Sequence, residues 1–231
     1  FYPMNNSDDL RKMIANHWLT TALKADELNM LLQKTTNVSY RKRETIVKRG
    51  EFATHLVLLL EGYVKVEDDE VKNNFVIDIL QGPNLIGIPL VLSYDKYKIS
   101  IVSLTEAEVL FVPMDLFRRF LETNSRFAYE VIKYGNSSFV GPLLDKLKSA
   151  SRNNIRGRLA KLILHFSVQT HKSKNFALLL SRFELAQMIG FSRENVIRML
   201  TEFHNEGIIN LTGKSMEVLD LPRLEELSKY S

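Results

Sequence analysis

The chain has no cysteine among its 231 residues. That single absence excludes disulfide scaffolds, Cys-ligated zinc, cysteine nucleophiles and thiolate-held iron–sulfur clusters, and it fits a reducing, cytoplasmic setting. Six Pro and ten Gly are too few for a collagenous or low-complexity chain. No apolar run approaches the roughly 18 residues that cross a bilayer, so no membrane partner is expected. The opening FYPMNNSDDLRKMIANHWLT lacks the basic start and apolar core of a signal peptide. A first residue that is Phe rather than Met is what a trimmed or tagged chain would give. There is no nucleophile elbow, P-loop or HExxH. The five histidines (His17, His55, His165, His171, His204) are scattered, whereas a metal-dependent, cupin-like enzyme needs two His and a carboxylate gathered together. The chain is therefore read as a non-enzyme with no metal site, and the cupin-like enzyme stands as the alternative from another class.

What is present becomes informative when the charge is divided. Residues 1–150 carry nineteen basic and nineteen acidic side chains, whereas 151–231 carry twelve and eight, the whole of the net +4. Between 152 and 198, nine basic residues (Arg152, Arg156, Arg158, Lys161, Lys172, Lys174, Arg182, Arg193, Arg198) face two acidic ones, Glu184 and Glu194. A local excess of that size points to a polyanionic partner.

Hydrophobic periodicity places the elements. Residues 7–34 repeat apolar positions at helical spacing. From about residue 38 the text changes to short β-branched and aromatic runs, THLVLLLEGYVKVE, NNFVIDIL, YKISIVSL and AEVLFVP, separated by Gly, Asn, Asp and Pro. That spacing argues for an antiparallel β-roll or jelly roll, punctuated by Gly50, Gly62, Gly82 and Gly87. After Pro113 a short helix, MDLFRRFLETN, precedes a longer one in which Ile132, Phe139, Leu143, Leu147 and Ala150 fall near helical spacing. An amphipathic helix of that length wants a partner, and a two-helix seam in a homodimer supplies it. Gly141-Pro142 is expected to kink or break it.

The remainder has its own logic. IRGRLAKLILHFSV (155–168) reads as an amphipathic helix, QTHKSKN (169–175) as a basic loop and ALLL as a strand. SRFELAQMIGFSRENVIRMLTEF follows, then two strands, IINLT and SMEVLDL, around Gly213-Lys214. This is a helix-turn-helix with a β-hairpin wing. Ala186 and Gly190 supply the small and turn residues, and Val196 and Met199 the inner face of the second helix. Ser181 with Glu184 forms a capping box, and Ser192 caps the second helix. Arg193, Glu194 and Arg198 are left on the outward face, where a recognition helix meets the major groove. The whole is an α+β chain: N-terminal β-roll, long dimerisation helix, C-terminal winged helix-turn-helix. The expected division is 1–123, 124–151 and 152–231.

End to end, the chain resembles the bacterial cAMP receptor protein / fumarate-nitrate regulator family of transcription factors. The four glycines of the roll, the long helix, IRGRLAKLIL and above all GFSRENVIRML carry the resemblance. It implies a cyclic nucleotide-binding-like sensor domain and a dimeric regulator of double-stranded DNA. Arg193, Glu194 and Arg198 would be its base readers on an inverted repeat of TGTGA-like half-sites, with Asn195 standing where the best-known member has Thr. Ser181, Arg182, Ser192 and Lys214 would meet phosphates, and the 169–175 loop would be a candidate contact for RNA polymerase.

The effector positions depart from the pattern. Gly87, Ile88 and Pro89 stand where cAMP-binding members carry Gly-Glu-Leu. Tyr97 and Lys98 replace the Arg-Ser pair that clamps the cyclic phosphate. Leu143 and Leu144 replace the polar pair of the long helix that reads adenine. With every specific partner gone, cAMP is not expected to bind, Lys98 is expected to be an exposed lysine, and the effector is unnamed. A haem-based gas or nitrosative-stress sensor is the alternative within the family, with His55 the one roll histidine.

Overall fold

A computed structural model describes residues 18–70, 75–141, 143, 144, 147 and 154–229. Residues before 18, Pro142, Ala150 and Arg152, on which some of the expectations above fall, lie outside the described residues. The chain divides into two compact units, one of residues 1–70 and 79–142, the other of 71–78 and 143–231. No helix among the described residues is long and apolar enough to cross a membrane.

Two helices, α1 (Trp18–Thr21) and α2 (Ala25–Lys34), lead into eight strands, all within the first unit except residues 75–78 of the fifth, which are grouped with the second. These are β1 (Thr36–Tyr40), β2 (Thr45–Val47), β3 (His55–Glu61), β4 (Tyr63–Asp68), β5 (Phe75–Gln81), β6 (Asn84–Ile86), β7 (Ser100–Ser103) and β8 (Ala107–Pro113). They form two four-stranded sheets, ordered β1-β8-β3-β6 and β2-β7-β4-β5. The registered pairs given by the ladders are antiparallel, with Leu58 opposite both Leu110 and Leu85 and Val66 opposite Ile101. Leu56 to Leu60 are all buried, a continuous run that a strand covered on both faces produces. Helix α4 (Met114–Thr123) packs against β3 and β8 and supplies the second cover. Phe117 and Phe120 of α4 meet Phe127 edge-on, with ring centroids 5.5 and 5.8 Å apart, the arrangement that aromatic quadrupoles favour.

Gly62, between β3 and β4, has φ +90, and a Cβ there would stand 2.3 Å from the Glu106 carbonyl oxygen. Only glycine fits. A buried polar knot closes the far end. Asn124 accepts from the Phe127 N–H at 3.0 Å and donates to Glu27 at 2.6 Å, while Glu27 also accepts from the Lys24 N–H.

Helix α5 (Ser125–Gly135) runs from that Asn124 cap into a π-turn, Asn136–Val140. The Gly141 N–H bonds the carbonyl of Asn136, five residues back. Helical conformation returns at Gly141 and is found at Leu143, Leu144 and Leu147. The kink or break expected at Gly141-Pro142 falls on Pro142, outside the described residues, and the π-turn before it is a separate irregularity, of a kind at which helices bend.

In the second unit, helix α6 (Ile155–Leu164) is capped by Asn154 and continues as a π-helical turn over His165–Thr170. Strand β9 covers Asn175–Ala177, not the expected ALLL. The ladder ends with Ala177 opposite Ser215, because the chain must leave the sheet to reach the next helix cap at Ser181. Helices α7 (Arg182–Ile189) and α8 (Arg193–Asn205) follow, then β10 (Ile209–Thr212), β11 (Ser215–Val218) and α9 (Leu221–Ser228). The small sheet is ordered β10-β11-β9, and α9 packs on α6.

Candidate nucleic-acid interface

Helices α7 and α8 are held by local chemistry. The Ser181 hydroxyl accepts from the Glu184 N–H at 3.2 Å, and the Glu184 carboxylate accepts from the Ser181 N–H at 2.8 Å. The expected capping box is formed, satisfying two of the helix's orphan donors. At the other end Gly190 is left-handed (φ +71), its N–H directed at the carbonyls of Ala186 and Gln187, while the Phe191 N–H bonds Ala186. This is the Schellman pattern for which glycine is suited. Ala186, Val196 and Met199 are buried, as the helix-turn-helix reading requires.

A residue that sequence reasoning counted only as charge completes the turn. Arg158, on α6, donates to the Ile189 carbonyl at 2.8 Å, and its guanidinium lies 5.1 Å from the Phe191 ring centre. Arg156 is likewise committed internally. It pairs with Glu206, comes within 3.8 Å of Glu202 and lies over the Phe203 ring at 5.2 Å. The hydrogen bond to Glu206 raises the Arg156 pKa above the ordinary guanidinium value, and the same bond lowers that of Glu206. Two of the nine cations counted toward a polyanion surface thus brace the domain.

The outward face of α8 is differently made. The Ser192 hydroxyl accepts from the Asn195 N–H at 3.3 Å and caps it. Arg193, Glu194 and Arg198 are exposed beyond that cap. Arg198 reaches Asn195 Oδ1 at 3.4 Å and Glu202 at 3.9 Å, contacts loose enough for its fork to turn elsewhere. Arg182 donates to the Gly213 carbonyl at 3.3 Å, tying the first turn of α7 to the wing, and burial lowers its pKa. Lys214, beside Gly213 at the wing tip, is exposed, and its carbonyl accepts from Leu178. Two helix N-termini and a wing tip therefore present three arginines, a lysine and two capping serines, a constellation suited to groove edges and phosphates.

The effector positions lie in the first unit and in the long helix. Gly87 (φ +80) heads the short helix α3 (Ile88–Ser93), with the side chains of Val91 and Ile99 beside it. Ile88 is buried and Pro89 partly so. Tyr97 is buried, donating its hydroxyl to the His55 carbonyl at 2.6 Å, and burial raises its pKa. Lys98 is exposed, its ammonium 4.7 Å from the Tyr94 ring centre. His55 Nδ1 stands 3.0 Å from Thr54 Oγ1, with the ring edge-on to Phe111. On the long helix Tyr129, Ile132, Phe139, Val140, Leu143, Leu144 and Leu147 are all exposed.

A contact not anticipated from the sequence joins that helix to β6. The Tyr134 hydroxyl donates to Asn84 Oδ1 at 2.9 Å and accepts from the Leu85 N–H at 3.1 Å. Burial raises the pKa of this phenol.

A sensor-type β-roll followed by a winged helix-turn-helix defines a class, the DNA-binding transcription regulators. Comparison with known proteins agrees domain by domain. Residues 37–124 match the cyclic nucleotide-binding domain and 157–227 the Crp-like helix-turn-helix domain. The chain belongs to the Crp/Fnr family of non-enzymatic, DNA-binding transcription regulators. Its curated relatives include the CRP-like cAMP-activated global transcriptional regulator of Mycobacterium tuberculosis, 21% identical over 92% of this chain and 97% of that protein. Another is the cAMP-activated global transcriptional regulator CRP of Haemophilus influenzae, 24% identical over 78% of this chain and 82% of its own. Among solved structures, FixK2 from Bradyrhizobium japonicum shares the fold with a TM-score of 0.74 at 18% identity, over 84% of this chain and 96% of that one.

Proposed function

We propose that this regulator acts in the cytoplasm as a homodimer on an inverted repeat of TGTGA-like half-sites, under a signal other than cAMP. The division into a sensing part (1–123), a dimerisation helix (124–151) and a DNA-binding part (152–231) belongs to the same reading. The DNA half rests on the exposed face of α8. Arg193 and Arg198 are matched to guanine O6/N7 and Glu194 to cytosine N4, while Ser181, Arg182, Ser192 and Lys214 are placed for phosphates. A carboxylate on that face is repelled by phosphate unless it reads a base or orients an arginine. The dimer half rests on Ile132, Phe139, Leu143 and Leu147, four apolar side chains exposed to water on one helix, in a family that is typically dimeric.

The signal half rests on one observation. Where a cyclic phosphate needs a guanidinium, this chain has a buried phenol, Tyr97, bonded to His55, and a lysine, Lys98, stacked outward on Tyr94. A phosphate buried without its cation is strongly penalised. Ile88, Pro89, Leu143 and Leu144 offer no hydrogen-bonding side chain for the ribose or the adenine, so the cassette suits an apolar effector or none. The 169–175 segment, in which Gln169 and Thr170 end the π-helical turn and Asn175 begins β9 instead of all seven residues forming a loop, is the candidate contact for RNA polymerase.

Two measurements test this. Selection from a random duplex pool with the effector-free protein should recover inverted TGTGA-like repeats, and recovery of another repeat overturns the base assignment. Calorimetric titration with cAMP should give no binding heat, and saturable binding at micromolar concentration overturns the proposed signal.

A further inference from the structure

Along α5 the side chains of Phe127, Val131 and Tyr134 fall on one helix face, four and then three residues apart. Phe127 and Val131 are buried and Tyr134 is partly buried, whereas every described residue from 136 to 147 is exposed. Among the described residues, Tyr134 is thus the last side chain by which the β-roll holds the long helix. The π-turn begins two residues later, and its Ser137 hydroxyl donates to the Tyr134 carbonyl at 3.1 Å.

What the phenol grips is the edge of a sheet. Strand β6 ends the order β1-β8-β3-β6, so its outer side offers backbone groups that no further strand takes up. The Tyr134 hydroxyl accepts from the Leu85 N–H at 3.1 Å and donates to the Asn84 side chain at 2.9 Å. Two residues beyond Leu85, the left-handed Gly87 opens the Gly87-Ile88-Pro89 cassette. Ile88 and Pro89 carry no hydrogen-bonding side chain through which a ligand could tie that cassette to the helix. The chain makes the tie with its own atoms.

We infer that the Tyr134 hydroxyl stands in for an effector: it joins the cassette strand to the long helix, so that the effector-free chain is DNA-competent by default. Tyr134 is then a positioning residue for DNA binding, acting without touching DNA. On an inverted repeat two recognition helices must enter successive grooves about 34 Å apart. A long helix released at Tyr134 samples other arrangements, and apparent affinity falls with the fraction that remains competent. This rests on the reading of the chain as a dimeric regulator of inverted repeats, and it assigns the default state of that regulator.

The test uses the full, effector-free chain on the duplex that it recovers by selection. Tyr134→Phe keeps the ring and removes only the hydroxyl, and should weaken binding roughly five- to fiftyfold, the range for two buried groups left unpaired. Asn84→Ala should lose part of that factor, and the double variant should lose no more than Tyr134→Phe alone. Asn84→Asp, which keeps an acceptor for the phenol, should stay near the native affinity. Circular dichroism and sedimentation at the assay temperature should show folded dimers throughout. A lowered unfolding temperature with DNA affinity unchanged in Tyr134→Phe would assign the phenol to stability alone and overturn the inference. Fully additive losses in the double variant would overturn it too. Failure of the underlying reading looks different: the native chain would then recover no inverted repeat at all, and the inference would fall with it.

Discussion

The Arg158 guanidinium donates to the carbonyl of Ile189, the last residue of α7, while its flat face covers Phe191 on the other side of Gly190. One side chain from α6 therefore supports both arms of the turn that sets α8 relative to α7. A cation at a helix C-terminus is also favoured by the helix dipole. Arg158→Ala should lower stability by about 1.5–3 kcal/mol, the range for a hydrogen bond to a charged donor. It should weaken DNA binding by a similar factor on every duplex while base preference is kept. Thermal unfolding together with competition binding reads both effects, and a changed base preference would mean that Arg158 contacts DNA directly.

The outward cations should behave in two distinct ways. Replacing Arg193 or Arg198 by Ala should cost roughly 1–3 kcal/mol and relax one base position each. Lys214→Ala should weaken all sequences alike and lower the slope of log affinity against log salt by about 0.9. Selection after each substitution, together with a salt titration of Lys214→Ala, separates these outcomes.

Gly62 and Gly50 make a matched pair. Both have left-handed backbone, φ +90 and +88, but a Cβ at Gly62 meets backbone oxygen whereas at Gly50 it meets nothing within 4 Å. Gly50→Ala should cost only the conformational strain, about 1 kcal/mol. Gly62→Ala should cost several times that, because backbone must move. Denaturant unfolding of the two variants gives the comparison, and equal losses would contradict the packing account.

His171 stacks on Phe176 at 4.7 Å, and burial lowers its pKa below the ordinary 6.5. Between the two values the unfolded chain binds more protons than the folded one. The His171 contribution is therefore complete above about pH 6.5 and is lost as pH falls through the lowered folded value. The unfolding temperature should drop more between pH 7.5 and 5.5 in the native chain than in His171→Phe. An equal drop would assign the acid sensitivity elsewhere.

Tyr134→Phe removes a phenol that both donates to Asn84 and accepts from the Leu85 N–H. Leaving those groups without partners should cost about 1–3 kcal/mol. The raised pKa makes the phenol's contribution complete below pH 10 and lost as pH rises through the folded value. The native chain, but not the variant, should show that alkaline loss in a melting series.

The features written into short windows were the ones legible in the sequence. The short β-branched runs of the β-roll strands, the Ser181–Glu184 box, the Ser192 cap and the left-handed Gly190 each depend on residues within a few positions. Contacts between distant segments were not legible. Arg43 adopts φ +72 with no glycine to announce it. It is held by Ser103, sixty positions on, whose carbonyl accepts from the Arg43 N–H at 2.8 Å and whose hydroxyl bonds the Arg41 carbonyl. The charge count treated Arg156 and Arg158 as surface cations because their partners, Glu206 and the Ile189 carbonyl, are far along the chain. Helix α9 did leave a signal, with Asp220 as its cap and Pro222 in its first turn, but about two turns of apolar spacing is short enough to pass for a loop.

A π-turn is in geometry an α-helix that carries one extra residue, taken up by the ladder as a single wide loop. The turn at Asn136–Val140 thus sets the phase of Phe139 and Val140 against Tyr129 and Ile132 by about 100° relative to an uninterrupted helix. Deleting one residue there, Ser137 for example, would leave the composition of the apolar stripe almost untouched. It would still turn one part of the stripe away from the other, so a chain lacking that residue would offer the same side chains to any partner helix in a different phase.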